Sequence, residues 1–263
     1  MSVVEVNEQN EALALETAQQ RNLKDRVREK WAKTIAFVSI IAIALGGLND
    51  TMDAIDKVYN LTLSQFTDIP SHNNLERIYI RASEDVLEET FGAPVYIKKS
   101  MAGDVIKYYD DRRFVLSAVT RDGAISAFLV FPKTDYKPNT IEHAGGDGLL
   151  ETVFSTNESV SDIRVNFSRS VSYYIEENTT GTFSNLYSSV AGYSEFIEPL
   201  DDQKQRLMSE LSDGLMLGDD ITDLVVNLRD AVTPNFYGYT NQGLDVLESA
   251  ILTLTEYRLI TKQ

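Results

Sequence analysis

The strongest constraint on this chain is a run of fifteen residues without a charge, residues 34–48, in a sequence of which 24% is charged. A helix rises about 1.5 Å per residue, and about 17 to 25 apolar residues are needed to cross a bilayer core. The run reaches that length when Trp31, Ala32 and Asn49 are counted with it. Residues 34–49 are therefore predicted to form a transmembrane helix.

Basic and aromatic residues flank the run on its N-terminal side. Lys30, Trp31 and Lys33 suit the lipid–water interface, where lysine side chains extend toward the head groups and tryptophan is enriched. Residues 1–33 are predicted to be a cytoplasmic tail that ends in a basic amphipathic helix beside the membrane. A buried helix of a soluble domain is the alternative for the run, and a partner-binding helix is the alternative for residues 21–33.

The charges on the two sides of the run indicate its orientation. Six basic residues lie in the twenty positions before it, whereas Lys57 alone lies in the twenty positions after it. The positive-inside rule then places the N-terminus in the cytoplasm and residues 50–263 outside the inner membrane. A cleaved signal peptide is disfavoured, because 33 residues with six acidic side chains precede the run and signal peptides begin with short basic segments.

Composition predicts a folded, acidic domain beyond the membrane segment. Hydrophobic residues make up 43% of the chain and aromatic residues 10%, which is enough apolar surface for a core. The net charge of −16 lies entirely beyond residue 48, where 18 basic residues face 34 acidic ones, so nucleic acid is disfavoured as a partner. Cysteine is absent, which excludes disulfides and thiolate chemistry and favours a bacterial protein.

A helix followed by strands is predicted after residue 82. Ser83 suits an N-cap and Gly92 a C-cap, and the apolar period then changes from 3.6 to 2. The pair Asp122-Gly123 is a strong hairpin signal. An antiparallel meander is therefore predicted, with strands in residues 95–100, 104–111, 113–123 and 124–133.

The helix ending in Gly-x-Pro and the meander after it resemble the small module of outer-membrane assembly lipoproteins and other bacterial envelope proteins. The resemblance covers residues 83–132, under a fifth of the chain. It implies a helix-plus-meander fold in an envelope protein and no particular activity. The lipobox cysteine of a lipoprotein is missing here.

The rest of the chain predicts an α+β domain over residues 50–263 whose C-terminal part is mostly helical. Residues 71–74 and the FYGYTNQG sequence at 236–243 are interpreted as turns. Residues 161–178 are interpreted as two strands or one bulged strand, with a helix as the alternative for residues 173–177. Residues 133–149 form a loop that could separate two domains. Helices are predicted at 201–218, 219–232 and 244–260.

The acidic loop supplies the candidate surface. Glu142, His143, Asp147 and Glu151 bring carboxylates and an imidazole close together in the sequence, so metal binding or acid–base chemistry is conceivable. No recognised ligand spacing is present, and an exposed linker is the favoured interpretation. We expect no metal and no cofactor.

No P-loop, dinucleotide-binding fingerprint, nucleophile elbow or zinc-protease motif occurs in the sequence. The leading hypothesis is a single-pass membrane protein whose extracytoplasmic domain contacts another envelope protein or itself, without catalysis. A membrane-anchored cell-wall hydrolase that uses Glu142, Asp147 and Glu151 is the first alternative. A protein that excludes phages or plasmids at the membrane is the second.

The predicted topology has a direct test. Cell fractionation should recover the intact chain with the membrane, and protease added to spheroplasts should degrade the part after residue 49, because that part is expected outside the bilayer. A soluble intact chain, or a C-terminal part that the protease leaves whole, would contradict it.

Overall fold

A computed structural model describes residues 67–100, 102–133, 136–140, 148–157, 159–179 and 184–262. Contacts divide the chain after Phe66, and the second unit, Thr67–Gln263, holds all the described residues. The predicted transmembrane helix and its flanking residues Lys30, Trp31 and Lys33 lie outside them. Within the described part, no helix is long and apolar enough to cross a membrane.

The predicted α+β class is confirmed. Eight antiparallel strands form one sheet in the order β1-β2-β3-β4-β8-β7-β6-β5. The strands are β1 (Tyr96–Lys99), β2 (Val105–Asp110), β3 (Phe114–Arg121), β4 (Ala124–Pro132), β5 (Val160–Phe167), β6 (Ser172–Asn178), β7 (Ser188–Ser194) and β8 (Phe236–Thr240). The described helices are α1 (Ile69–Glu76), α2 (Asp85–Phe91), α3 (Asp202–Leu217), α4 (Thr222–Ala231), α5 (Leu244–Glu248) and α6 (Leu254–Thr261), with a 3₁₀ turn at Phe154–Thr156.

The predicted helix and meander are confirmed for α2 and β1 to β4. The N-cap of α2 is Glu84 and not the predicted Ser83, whose Oγ accepts a hydrogen bond of 3.4 Å from the Asp85 amide. Gly92 is the C-cap, as predicted, with φ of +76°. Asp122 and Gly123 both have positive φ, +53° and +77°, as the tight turn between β3 and β4 requires. These local signals agree with the final structure because each is satisfied by neighbours in the sequence.

The prediction of a turn at residues 236–243 is wrong for its first five residues. Phe236–Thr240 is β8, which lies between β4 and β7 and is buried at every position. Gly238 suggested a turn, but it is required here by packing: a Cβ at this position would lie 2.1 Å from the Phe128 carbonyl oxygen. Strand glycines often mark such close backbone approaches.

One face of the sheet, which we call the front face, is covered by α5 and α6. Ser117 Oγ, fully buried on this face, donates a 3.0 Å hydrogen bond to the Ala250 carbonyl and so fixes the segment between the two helices. The apolar residues of this core are Ile106, Tyr108, Val115, Val119, Leu129, Phe131, Tyr173, Ile175, Val190, Phe236, Leu244, Leu247, Ile251, Leu252, Tyr257 and Ile260.

The opposite face, the back face, has two helical covers. The helices α1 and α2 pack on the half formed by β2 to β4, with Leu75 and Leu87 in that core. The helices α3 and α4 pack on the half formed by β5 to β7, with Met208 and Leu228 in that core. At β8, the centre of this face, the ring of Tyr187 packs against that of Tyr239 with centroids 5.6 Å apart.

Several predicted helix boundaries need correction. Residues 71–74 are predicted to form a turn, but they lie within α1, and Pro70 lies in the first turn of that helix, where its missing N–H costs nothing. The single helix predicted at 244–260 is two helices. The second begins at Leu254, after the N-cap Thr253, which forms a capping box with Glu256.

The outer edge of β5 is blocked by its own side chains. The Ile163 amide donates to Asp162 Oδ1 at 2.9 Å, and Arg164 Nη1 donates to the Ile163 carbonyl at 2.9 Å. Both backbone groups are thus satisfied without another strand. Charged side chains that occupy an edge in this way oppose pairing with a second chain.

The close approach at β8 predicts the effect of one methyl group. Replacing Gly238 by Ala should destabilise the fold by about 2 to 4 kcal/mol, because the backbone of β4 would have to move. Urea unfolding of the two proteins measures this. Gly148→Ala is the control, since its Cβ would meet only the flexible Glu151 side chain, at 3.1 Å. Equal stability losses at the two positions would contradict the packing argument.

Candidate functional site

A cleft of about 350 Å³ opens where β4 ends and β8 begins. The prolines at the two strand ends, Pro132 and Pro234, form part of its wall. We call it the loop cleft. Its lining is Pro132, Lys133, Tyr136, Lys137, Pro138, Asn139, Thr140, Gly148, Leu150, Glu151, Ile197, Glu198, Pro234 and Asn235.

Tyr136 connects the loop cleft to the core of the back face. Its side chain is 4% exposed, and its ring stacks on Phe114 with centroids 5.9 Å apart. The hydroxyl lies 3.4 Å from His72 Nδ1 in α1. Burial raises the pKa of the Tyr136 hydroxyl, so it stays protonated and acts as an anchor.

The two described ends of the loop are tied together beside the cleft. Thr140 is buried, and its Oγ1 accepts a 2.8 Å hydrogen bond from the Leu149 amide. Its carbonyl accepts a hydrogen bond of 3.4 Å from the Tyr239 hydroxyl in β8. This part of the predicted exposed loop is therefore integrated into the back face.

Two polar lining residues are occupied by structural contacts. Lys133 Nζ lies 2.6 Å from Asp110 Oδ1 and also donates to the Asp111 carbonyl. The Asn235 amide group forms two hydrogen bonds of 2.9 Å with the backbone of Ser194, which extends the pairing of β7 and β8. These residues shape the cleft and are not available to a ligand.

Three charged lining residues are free to meet a ligand. Lys137, Glu151 and Glu198 are exposed, and none forms an ion pair or side-chain hydrogen bond with another described residue. A cleft that has one unpaired ammonium group, two unpaired carboxylates and three prolines in its lining suits a ligand with both signs of charge. An extended peptide segment has this chemistry.

The structure places only one of the four predicted surface residues. Glu151 lies at the loop cleft, whereas Glu142, His143 and Asp147 lie outside the described residues. The described parts of the chain contain no group of three or more His, Cys, Asp or Glu side chains that could hold a metal ion.

Sequence reasoning missed Glu198 as a partner of Glu151 in one cleft. The two residues are far apart in the chain. They line the same cleft because Glu198 follows β7, which pairs with β8, and the start of β8 lies beside the end of β4. No local pattern marks this arrangement. Lys137 lies in the loop predicted at residues 133–149, but no nearby residue in the sequence marks it as part of a binding site.

A buried ion pair under the back face was also missed. Glu176 is 1% exposed, and its Oε1 accepts 2.6 Å hydrogen bonds from the Tyr174 hydroxyl and from Arg229 Nε. Arg229 also donates to the carbonyls of Phe154 and Asn157, which holds the 3₁₀ turn against α4. Burial raises the pKa of Glu176, while Tyr174 and Arg229 oppose that shift.

Comparisons with known proteins find only remote structural likeness. No protein-family model matches the chain, and no curated protein sequence matches it. The chain resembles a cysteine-rich secretory protein of Staphylococcus aureus at 11% identity and a TM-score of 0.35, over 66% of this chain and 47% of that one. An extracellular protein of Bacillus anthracis with an SCP domain gives 10% identity and a TM-score of 0.32, over 64% and 45%.

A protein from Streptococcus mutans, described as a β-lactamase inhibitor protein, gives 12% identity and a TM-score of 0.24, over 48% of this chain and 90% of that one. The chain thus spans about half the length of the first two proteins. At these scores the likenesses carry no argument about function.

The buried pair predicts a pH-dependent effect. Arg229→Met should cost about 3 to 5 kcal/mol of unfolding free energy at pH 7, because it leaves a buried carboxylate without its partner. The pKa of Glu176 in the folded state lies above its ordinary value of 4.5, so the folded chain binds the proton more tightly and loses stability as pH rises through that pKa. The cost of the substitution should therefore shrink toward pH 4.

Urea unfolding between pH 4 and pH 8 measures this difference. The double variant Glu176→Gln, Arg229→Met is the control: it removes both charges and should recover the part of the loss that comes from the unpaired carboxylate, while the hydrogen bonds of Arg229 to the Phe154 and Asn157 carbonyls stay lost. A loss that is the same at both ends of the pH range would contradict the assignment.

Proposed function

We propose that this chain is a single-pass inner-membrane protein of the bacterial envelope whose extracytoplasmic domain binds another envelope protein without catalysis. The observation that carries the proposal is the loop cleft, where three exposed and unpaired charged side chains border a wall fixed by the sheet. The ligand proposed for the cleft is an extended peptide segment of the partner.

The rigidity of the cleft supports a binding role. Its floor is built on the ends of β4 and β8, and the hydrogen bond from the Leu149 amide to Thr140 holds the loop against the sheet. A volume of about 350 Å³ accommodates a few residues of peptide. A site that is already formed loses little conformational entropy on binding, which favours affinity.

The charges of the cleft support a peptide as the ligand. Glu151 and Glu198 suit a lysine or arginine side chain of the partner, and Lys137 suits an aspartate or glutamate. Exposed charges of this kind determine register and orientation more than affinity. The partner sequence should therefore carry both basic and acidic residues.

The membrane anchor remains a proposal from the sequence. It is supported by the charge-free run at 34–48 and by the six basic residues before it. In this arrangement the acidic domain faces the periplasm, membrane lipid surrounds the anchor, and nucleic acid is not a partner.

A cell-wall hydrolase is a second candidate, and one observation favours it. Glu151 and Glu198 line the same cleft, and glycoside hydrolysis requires two carboxylates on opposite sides of the scissile bond. In this alternative one carboxyl group protonates the leaving oxygen and the other activates water or attacks the sugar. The polymer would then occupy the cleft in place of the peptide.

Photo-crosslinking in intact cells tests the leading proposal. A photoreactive residue at position 198 should form a discrete adduct with one envelope protein, and mass spectrometry should place the crosslink on a segment with both signs of charge. Lys137→Glu should reduce the adduct several-fold, because it reverses the only free cation among the described lining residues. Lys262→Glu, a charge reversal at an exposed residue outside the cleft, should leave the adduct unchanged.

Two results separate the candidates. Recovery of the chain only as an isolated monomer, or an equal effect of the two lysine variants, would contradict partner binding at the cleft. Release of soluble fragments from purified peptidoglycan by the wild type, abolished in Glu151→Gln and in Glu198→Gln, would establish the hydrolase instead.

A further inference from the structure

A second cavity, of about 360 Å³, opens where the β5–β6 turn approaches α6, at the same end of the strands as the loop cleft. It is separate from the loop cleft, since the two share no lining residue. We call it the basic pocket. Its lining is Ser168, Arg169, Ser170, Val171, Ser172, Glu195, Phe196, Pro199, Leu254 and Arg258.

Two arginines without partners distinguish this pocket. Arg169 lies in the β5–β6 turn and Arg258 in α6, and neither forms an ion pair or side-chain hydrogen bond with another described residue. Other arginines of this acidic domain form ion pairs, for example Arg121 with Asp104 at 2.6 Å and Arg229 with Glu176 at 2.6 Å, and the arginines that do not, such as Arg206, do not line this cavity. Two free guanidinium groups at one cavity therefore form a local positive site in a negative protein.

Hydroxyl groups add hydrogen-bonding capacity to the same cavity. Ser168, Ser170 and Ser172 all line it, and of these the Ser168 hydroxyl already donates to the Val171 carbonyl at 2.9 Å. Ser172 is 5% exposed, and its Oγ has no hydrogen-bond partner among the described residues. A buried hydroxyl is ordinarily paired, because leaving it unpaired destabilises the fold. A ligand oxygen would satisfy it.

The pocket is held rigid by its surroundings. The Val171 amide donates to Ser168 Oγ at 3.3 Å, and the Leu254 amide donates to the Ser170 carbonyl at 3.3 Å, which joins the turn to α6. The ring of Phe196 lies 4.6 Å from that of Tyr257, so the apolar floor is fixed by the front-face core. Little reorganisation is needed before a ligand can bind.

We propose that the basic pocket binds a small organic anion in which a carboxylate or phosphate group is joined to an aromatic or acyl body. The planar guanidinium groups of Arg169 and Arg258 match the oxygens of either anion. Phe196, Leu254 and the neighbouring Pro199 provide the apolar surface for the body of the ligand. Glu195 contributes one negative charge, so the lining keeps a net charge of +1.

Calorimetric titration of the full chain in a non-ionic detergent tests the proposal. The probes are phenyl phosphate, benzoate, inorganic phosphate and uncharged benzyl alcohol. Saturable binding of phenyl phosphate or benzoate is expected, and the tighter of the two identifies the preferred anion. Arg169→Ala and Arg258→Ala should each weaken it about tenfold, since each removes a charge-assisted contact. Ser172→Ala, which removes only the unpaired hydroxyl, should weaken it about threefold.

Arg206→Ala is the matched control, because Arg206 is an exposed, unpaired arginine on α3 outside the pocket. It should bind like the wild type, and thermal melting should show that all the variants fold, since the replaced arginines have no contacts to lose. The proposal is overturned if neither organic anion binds saturably, if Arg206→Ala weakens binding as much as the pocket variants do, or if benzyl alcohol or inorganic phosphate binds as tightly as phenyl phosphate.

Discussion

The structure depends on how closely β8 approaches its two neighbours. Gly238 lies against the backbone of β4, and on the β7 side a Cβ at Gly192 would lie 2.1 Å from the ring of Phe236. The two glycines leave the space that lets one short strand join both halves of the sheet. The front-face core continues from β4 across β8 to β7. The pairing of β8 with β4 also positions the two strand ends beside the loop cleft.

The parts of the fold that sequence predicts are those whose signals are local. Asp122-Gly123 produces its turn wherever it is placed between two apolar runs, and Asp201 caps α3 by accepting a hydrogen bond of 2.9 Å from the Lys204 amide. Gly238 illustrates the opposite case. From the sequence alone, a glycine among aromatic residues predicts a turn. The reason for Gly238 is the backbone of β4 beside it, which lies about a hundred residues earlier in the chain. Thr253 and Glu256 form a capping signal that is present in the sequence. The apolar periodicity of residues 244–260 nevertheless led to the prediction of a single helix.

The candidate sites were less predictable, because each is assembled from distant segments. Glu151 could be chosen from the acidic loop, but its neighbour Glu198 reaches the same cleft only through the strand order. The basic pocket likewise joins Arg169 to Arg258, and nothing near either arginine indicates that it lacks a partner. An arginine is available to a ligand only when no carboxylate lies near it in the folded protein. The composition of an acidic chain cannot show which arginines meet this condition.

The position of β8 also determines when the sheet can be completed. As a chain is synthesised from its N-terminus, the meander β1 to β4 can form early, yet the inner edge of β4 stays unpaired until β8 emerges roughly a hundred residues later. Long-range strand pairing of this kind slows folding. An apolar edge that waits so long for its partner is open to association with other nascent chains, so the late insertion of five residues is the step at which the newly made protein is most vulnerable to aggregation.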